Sequence, residues 1–236
     1  MNIVQKTRRL LSSPGRRSKI FCIGYNKTGT TTLEQVLRKL GYRLPDQMKQ
    51  ERLVVDAYFR GNFAPLKKLC GKYDAFQDMP FSQGAAYAVA DGLFPGSRFI
   101  LTVRDPASWF DSLTRFHLQG ILARVGVREL SDFNESTFKD KDVYIARNYL
   151  YNVMKRHASV VVDNQTRHDW SLVYDREHRI RSYVARNEEI IKYFQDRPGQ
   201  LLVIDFSRET DNSKIVDFLG LPRSHVDPLP HLNRSR

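Results

Sequence analysis

The feature that most constrains this chain is an abrupt change of pattern near its start. Lys19-Ile20-Phe21-Cys22-Ile23-Gly24 is a short apolar run closed by glycine, and Leu33, Val36, Leu37 and Leu40 then recur at helical spacing up to Gly41. The first reads as a buried strand and the second as an amphipathic helix. Between them stands Tyr25-Asn26-Lys27-Thr28-Gly29-Thr30-Thr31-Thr32. A strand that turns through such a loop into a helix aims backbone N–H groups and the positive helix end at one point, which makes an anion site. Lys27 adds a full charge and the hydroxyls of Thr28, Thr30, Thr31 and Thr32 add donors. Thr31 and Glu34 also have the spacing of a capping box, which gives Thr31 a structural alternative.

The nucleotide-triphosphate loop G-x-x-x-x-G-K-[ST] places its lysine after the second glycine and a magnesium-binding hydroxyl next to it. Here Lys27 precedes Gly29, so the loop reads as phosphate-binding without a metal. Further strand and helix signals alternate along the chain. Residues 73–77 read as a strand before an Ala-rich helix near 82–91, and residues 98–103 as a strand before a helix opened by Pro106. Leu201-Leu202-Val203-Ile204 precedes a helix through Ile215, Val216, Phe218 and Leu219 to Gly220. That alternation predicts an α/β, three-layer fold with a central parallel sheet. Residues 1–18 read as a basic, flexible lead-in and 19–236 as a single domain. From about 117 to 196 the pattern is helical with no strand, and 140–182 reads either as an acceptor-facing insertion or as a surface helical pair.

The run from Phe21 to Thr31 resembles the 5′-phosphosulfate loop of sulfotransferases that use 3′-phosphoadenosine-5′-phosphosulfate (PAPS). A second run, Phe99-Ile100-Leu101-Thr102-Val103-Arg104-Asp105-Pro106 and on to Ser112, resembles that family's 3′-phosphate element. The likeness extends over residues 19–115 and 183–233. It implies a P-loop-like fold and transfer of a sulfuryl group to a hydroxyl or amine, with 3′,5′-adenosine bisphosphate (PAP) as product and no metal. It implies Lys27 at the leaving phosphate, Thr28, Gly29, Thr30, Thr31 and Thr32 around the 5′-phosphate, and Arg104 with Ser112 on the 3′-phosphate. The family's base follows its second strand, which here falls at Asp78 in Phe76-Gln77-Asp78-Met79-Pro80. A helix-capping role is the competing reading of Asp78. With Lys27 near, the expected state of Asp78 is a carboxylate held low in pKa by the lysine's charge. Pro228-Leu229-Pro230-His231-Leu232-Asn233 resembles a C-terminal segment of bacterial members; His231 and Asn233 read as anchors of a tail, with an approach to the cofactor as the alternative, and stay outside the expected site. The glycine-rich segment near the C-terminus of the cytosolic members is missing here.

Charge keeps two rivals open: a P-loop kinase-like phosphotransferase and a basic module for nucleic acid or another polyanion. The net charge is +12, but Lys6, Arg8, Arg9, Arg16, Arg17 and Lys19 supply half of it before the first strand. A basic balance suits any polyanion, including a nucleotide with several phosphates. No aromatic-basic pattern points to nucleic acid, and the misplaced lysine speaks against a kinase. His117, His157, His168 and His178 are too scattered for a metal site, and Cys22 and Cys70 form no disulfide framework. No apolar stretch resembles a leader or approaches the ~20 residues of a membrane helix, which places the expected protein in the cytoplasm. Its expected partner is an acceptor drawn from glycans, lipids, peptides or small molecules, and the sequence leaves the oligomeric state open.

Overall fold

The computed structural model describes residues 18–230. The basic lead-in up to residue 17, His231 and Asn233 therefore lie outside the described residues.

The sheet has four parallel strands: β1 (Ile20–Cys22), β2 (Ala75–Phe76), β3 (Arg98–Thr102) and β6 (Leu201–Ile204), in the order β2-β1-β3-β6. Phe21 stands opposite Phe76 on one side and Phe99 on the other, and Ile100 stands opposite Leu202. Strand side chains alternate between faces, so this register sorts the core into two layers. Ile20, Cys22, Ala75, Ile100 and Ile204 face α1 (Thr30–Lys39) and α8 (Ser213–Leu219). Phe21, Ile23, Phe76, Phe99 and Leu101 face the opposite layer, formed by α3 (Ala64–Cys70), α4 (Ala86–Leu93) and α7 (Arg176–Phe194). A sheet covered on both faces needs continuously apolar strands, which is the pattern of residues 20–23 and 99–101. The three-layer α/β arrangement expected from the sequence is the one observed.

Two helices complete the frame of the site. Helix α2 (Gln47–Val54) is capped by Asp46, which accepts from the Lys49 N–H at 3.0 Å. Helix α5 (Pro106–His117) follows β3, with proline in its first turn and the Asp105 carboxylate accepting from the Ser108 N–H at 2.8 Å. Trp109 of α5 stacks on Tyr183 of α7 with ring centroids 4.3 Å apart, fixing the two helices to each other.

Residues beyond α5 build a lobe with its own core. Leu122, Phe138, Tyr149, Leu150, Met154, Ala158 and Val173 are buried together with Val54 of α2. The lobe contains α6 (Tyr149–Ala158) and a run of short 3₁₀ turns. It also corrects the expectation of no strand between 117 and 196: β4 (Ser159–Val162) pairs antiparallel with β5 (Gln165–His168). Asp163 and Asn164 both have positive φ, 51° and 58°, as a two-residue hairpin turn requires. All eight strand residues except the half-buried Val160 are exposed, so no alternation of apolar and polar residues announces the pair.

Candidate active site

The loop between β1 and α1 is shaped by two close approaches. A β-carbon on Gly24 would collide with the backbone and hydroxyl of Thr102, so only glycine lets β1 leave the sheet against the end of β3. Gly29 has φ 98° and would strike the Phe206 ring if it carried a side chain. It occupies the N-cap of α1 without any side-chain cap, and α1 already begins at Thr30. This corrects the capping-box expectation: Thr31 lies inside the helix, and Glu34 pairs with Arg38 at 2.8 Å instead. The first N–H groups of α1 are thus left for a ligand.

Each loop residue has its own environment. The Thr28 hydroxyl is buried and lies 2.6 Å from that of Thr102, and it also donates to the Tyr25 carbonyl. That hydroxyl thus ties the loop to the end of β3. Thr30 is buried, whereas Thr31 is exposed and Thr32 half-buried at the cavity wall. Lys27, at φ 68°, extends its ammonium over the Phe116 ring at 4.4 Å. Its pKa is lowered, first by burial and then by the charge of Arg104, while Asp78 acts in the opposite direction.

Arg104 and Ser112 come from the end of β3 and from α5. The Tyr183 hydroxyl accepts from the Arg104 N–H at 2.9 Å and donates to its carbonyl at 3.1 Å. That double contact fixes the backbone from which the guanidinium extends. Both side chains border the same cavity as Lys27, Gly29 and Asp78.

Asp78 leaves β2 with φ 58°, in the left-handed region. Gln50 of α2 holds this segment by donating to the carbonyls of Gln77 and Met79. The Asp78 carboxylate accepts from the Ser82 hydroxyl at 3.1 Å, and α4 begins only at Ala86, so the carboxylate is not a helix cap. The expectation of a depressed pKa is overturned. Burial, the largest influence, raises it, and the Ser82 hydroxyl, the Met79 N–H and the Lys27 charge offset this only in part.

The cavity these groups share measures about 1350 Å³ and extends from the phosphate loop into the helical lobe. Its inner part holds polar groups that no pattern along the chain marks as neighbours. Glu51, on α2, is 7 % exposed and accepts from the Tyr149 hydroxyl at 3.0 Å and the Tyr144 hydroxyl at 3.2 Å. Burial raises its pKa despite those donors. His117 ends α5 with Nδ1 2.9 Å from the Tyr174 hydroxyl, and burial lowers its pKa to about 3. His157 is likewise lowered, by burial first and then by Arg179. These residues come from separate elements far apart in the chain, and no local motif marks them. Among the described residues, no group of three or more His, Cys, Asp and Glu side chains is placed to hold a metal.

A glycine-shaped loop carrying Lys27, a cationic strand end and an enclosed carboxylate on one cavity agree with the outcome of comparison with known families, where a sulfotransferase domain matches residues 19–236. The chain belongs to the sulfotransferase family. No curated protein sequence is significantly similar to it. As a sulfotransferase it moves a sulfuryl group to an acceptor, and the lobe beyond α5 lies within the matched span. No helix of the described residues is long and apolar enough to cross a membrane.

Proposed function

We propose that this sulfotransferase takes its sulfuryl group from PAPS and passes it to a hydroxyl or amine held in the inner part of the cavity. The observation that carries this reading is the convergence of Lys27, Arg104 and Asp78: after burial, Arg104 and Asp78 are the strongest influences on the Lys27 ammonium.

The residues fit the donor. The uncapped start of α1 offers N–H groups from Gly29 to Thr32 for a 5′-phosphate. Arg104 makes no hydrogen bond or ion pair through its guanidinium among the described residues, and Ser112 makes none through its hydroxyl. Both are available to a 3′-phosphate, which a guanidinium engages through paired N–H donors. Phe206, beside Gly29, borders the cavity with Leu229 and Pro230, and these offer an apolar surface for the adenine.

When bound, PAPS supplies a sulfuryl group joined to a phosphate that can leave. The ammonium of Lys27 then stabilises the charge that develops on the departing oxygen. Burial and Arg104 both favour loss of its proton, so Lys27 is also suited to give one up at that oxygen. Asp78 accepts the proton of the acceptor hydroxyl or amine as the new bond to sulfur forms. A carboxylate whose pKa is raised toward the working pH is the better base for that step.

Transfer from PAPS to a panel of phenols, sugars and amines, read by mass spectrometry, tests the assignment. Asp78→Asn keeps an acceptor for Ser82 but cannot take a proton, so turnover is expected to fall about 10²–10⁴-fold while PAP still binds. Full turnover in a folded Asp78→Asn protein removes Asp78 from the base role.

A further inference from the structure

Arg179 is a buried cation of the inner cavity that no hydrogen bond or ion pair among the described residues engages. It lies in the first turn of α7 and is 7 % exposed, yet it borders the cavity. Its Nε is enclosed without a hydrogen-bond partner, and its guanidinium makes no hydrogen bond or ion pair among the described residues. The flat group lies 5.8 Å from the centre of the Trp109 ring. A buried cation without a partner is costly, and a position at the positive end of a long helix adds to the cost.

The neighbours do not relieve it. His117 and His157 face the same region and stay neutral, with the Arg179 charge among the causes. The carboxylates on this side of the cavity are engaged elsewhere: Glu51 with Tyr144 and Tyr149, and Asp78 with Ser82. The donor is served by a different set. The charges that weigh most on Lys27 are those of Arg104, Asp78 and Arg115. Leu113, Met154, Val173 and Tyr174 add apolar and aromatic surface to the lining of the same cavity.

We infer that Arg179 receives an anionic group of the acceptor, so that the preferred acceptor has an apolar or aromatic body carrying a carboxylate, phosphate or sulfate besides the hydroxyl or amine that is sulfated. The inference rests on the reading of the inner cavity as the acceptor site. The guanidinium supplies the paired donors such an oxyanion takes, and the oxyanion supplies the missing counter-charge. Neutral His117 and His157 border the oxyanion without adding charge of either sign.

Calorimetric titration with three matched probes tests this, with and without saturating PAP: 6-hydroxy-2-naphthoate, 6-hydroxy-2-naphthamide and 6-(aminomethyl)-2-naphthol. The wild-type protein is expected to bind the carboxylate roughly tenfold or more tightly than the amide, and the ammonium probe least, as a lost charged hydrogen bond implies. Arg179→Met should erase the carboxylate preference and leave PAP affinity unchanged, while Arg179→Lys retains part of the preference. Unliganded Arg179→Met should melt no lower than wild type, because it removes an unpaired buried charge. If that variant does not fold, the wild-type ranking and Arg179→Lys carry the test. Equal affinity for carboxylate and amide in the wild type, or a preference that survives Arg179→Met, overturns the inference. So does a loss of PAP affinity in Arg179→Met, which would put Arg179 in the donor site. Failure of the donor reading shows separately, as absence of PAP binding to the wild type.

Discussion

Asp78 sits between opposed demands: its enclosure disfavours charge, and the ammonium of Lys27 favours it. Enclosure dominates, which fixes the sign of two pH effects. The rate should rise with pH through an apparent pKa above the ordinary carboxylate range, because the base must lose its proton first. The folded protein also binds this proton more tightly than the unfolded chain, whose carboxyl titrates near 3.8. The contribution of Asp78 to stability therefore declines as pH rises from that value through the higher folded one. Asp78→Asn should thus melt at or above the wild type at neutral pH, with the gap closing in acid. Melting curves across pH check this, and a variant that melts lower at neutral pH contradicts it. In the proposed transfer Lys27 has the complementary role. Lys27→Ala should slow transfer on the order of 10²-fold or more, the loss typical of a removed electrostatic donor. A rate near the wild-type value would take Lys27 out of the transfer step.

Among the elements, β1 with its loop was legible from the sequence because one short segment supplies both the buried strand and the anion site. Strands β3 and β6 were legible for the same reason: each is an apolar run followed by a helix with a clear stop. The cap of α1 was not, since Thr31 and Glu34 have capping-box spacing while the positive φ of Gly29 starts the helix earlier. The hairpin β4–β5 was missed because its residues face solvent, although Asp163-Asn164 after three valines carried a turn signal. Glu51, His117, His157 and Arg179 belong to four helices, and only tertiary packing brings them to one cavity. The loop's dependence on close packing can be measured. Gly24→Ala should destabilise the protein by about 1–3 kcal/mol or more, as overpacking of a closed site does. Chemical denaturation reads this directly, and an unchanged midpoint would mean that β1 and Thr102 separate easily.

For the molecule as a whole, the sheet presents Lys27 and Arg104 beyond the ends of β1 and β3, and the lobe beyond α5 closes the far side of the cavity with its own core. The division explains why the loop side of the cavity follows from local sequence while the lobe side does not: the first is made by strand ends and helix starts, the second by side chains from a separate core. It also separates the donor reading from any particular acceptor, so the donor can be tested alone. Calorimetric titration of the wild-type protein with PAP, with 5′-AMP and with ATP, each in magnesium-free buffer and again with magnesium, is that test. PAP should bind without magnesium and at least tenfold more tightly than 5′-AMP, which lacks the 3′-phosphate, as expected for roughly 1.5–3 kcal/mol from a charged hydrogen bond. PAP binding no tighter than 5′-AMP, or binding confined to ATP with magnesium, would contradict the account.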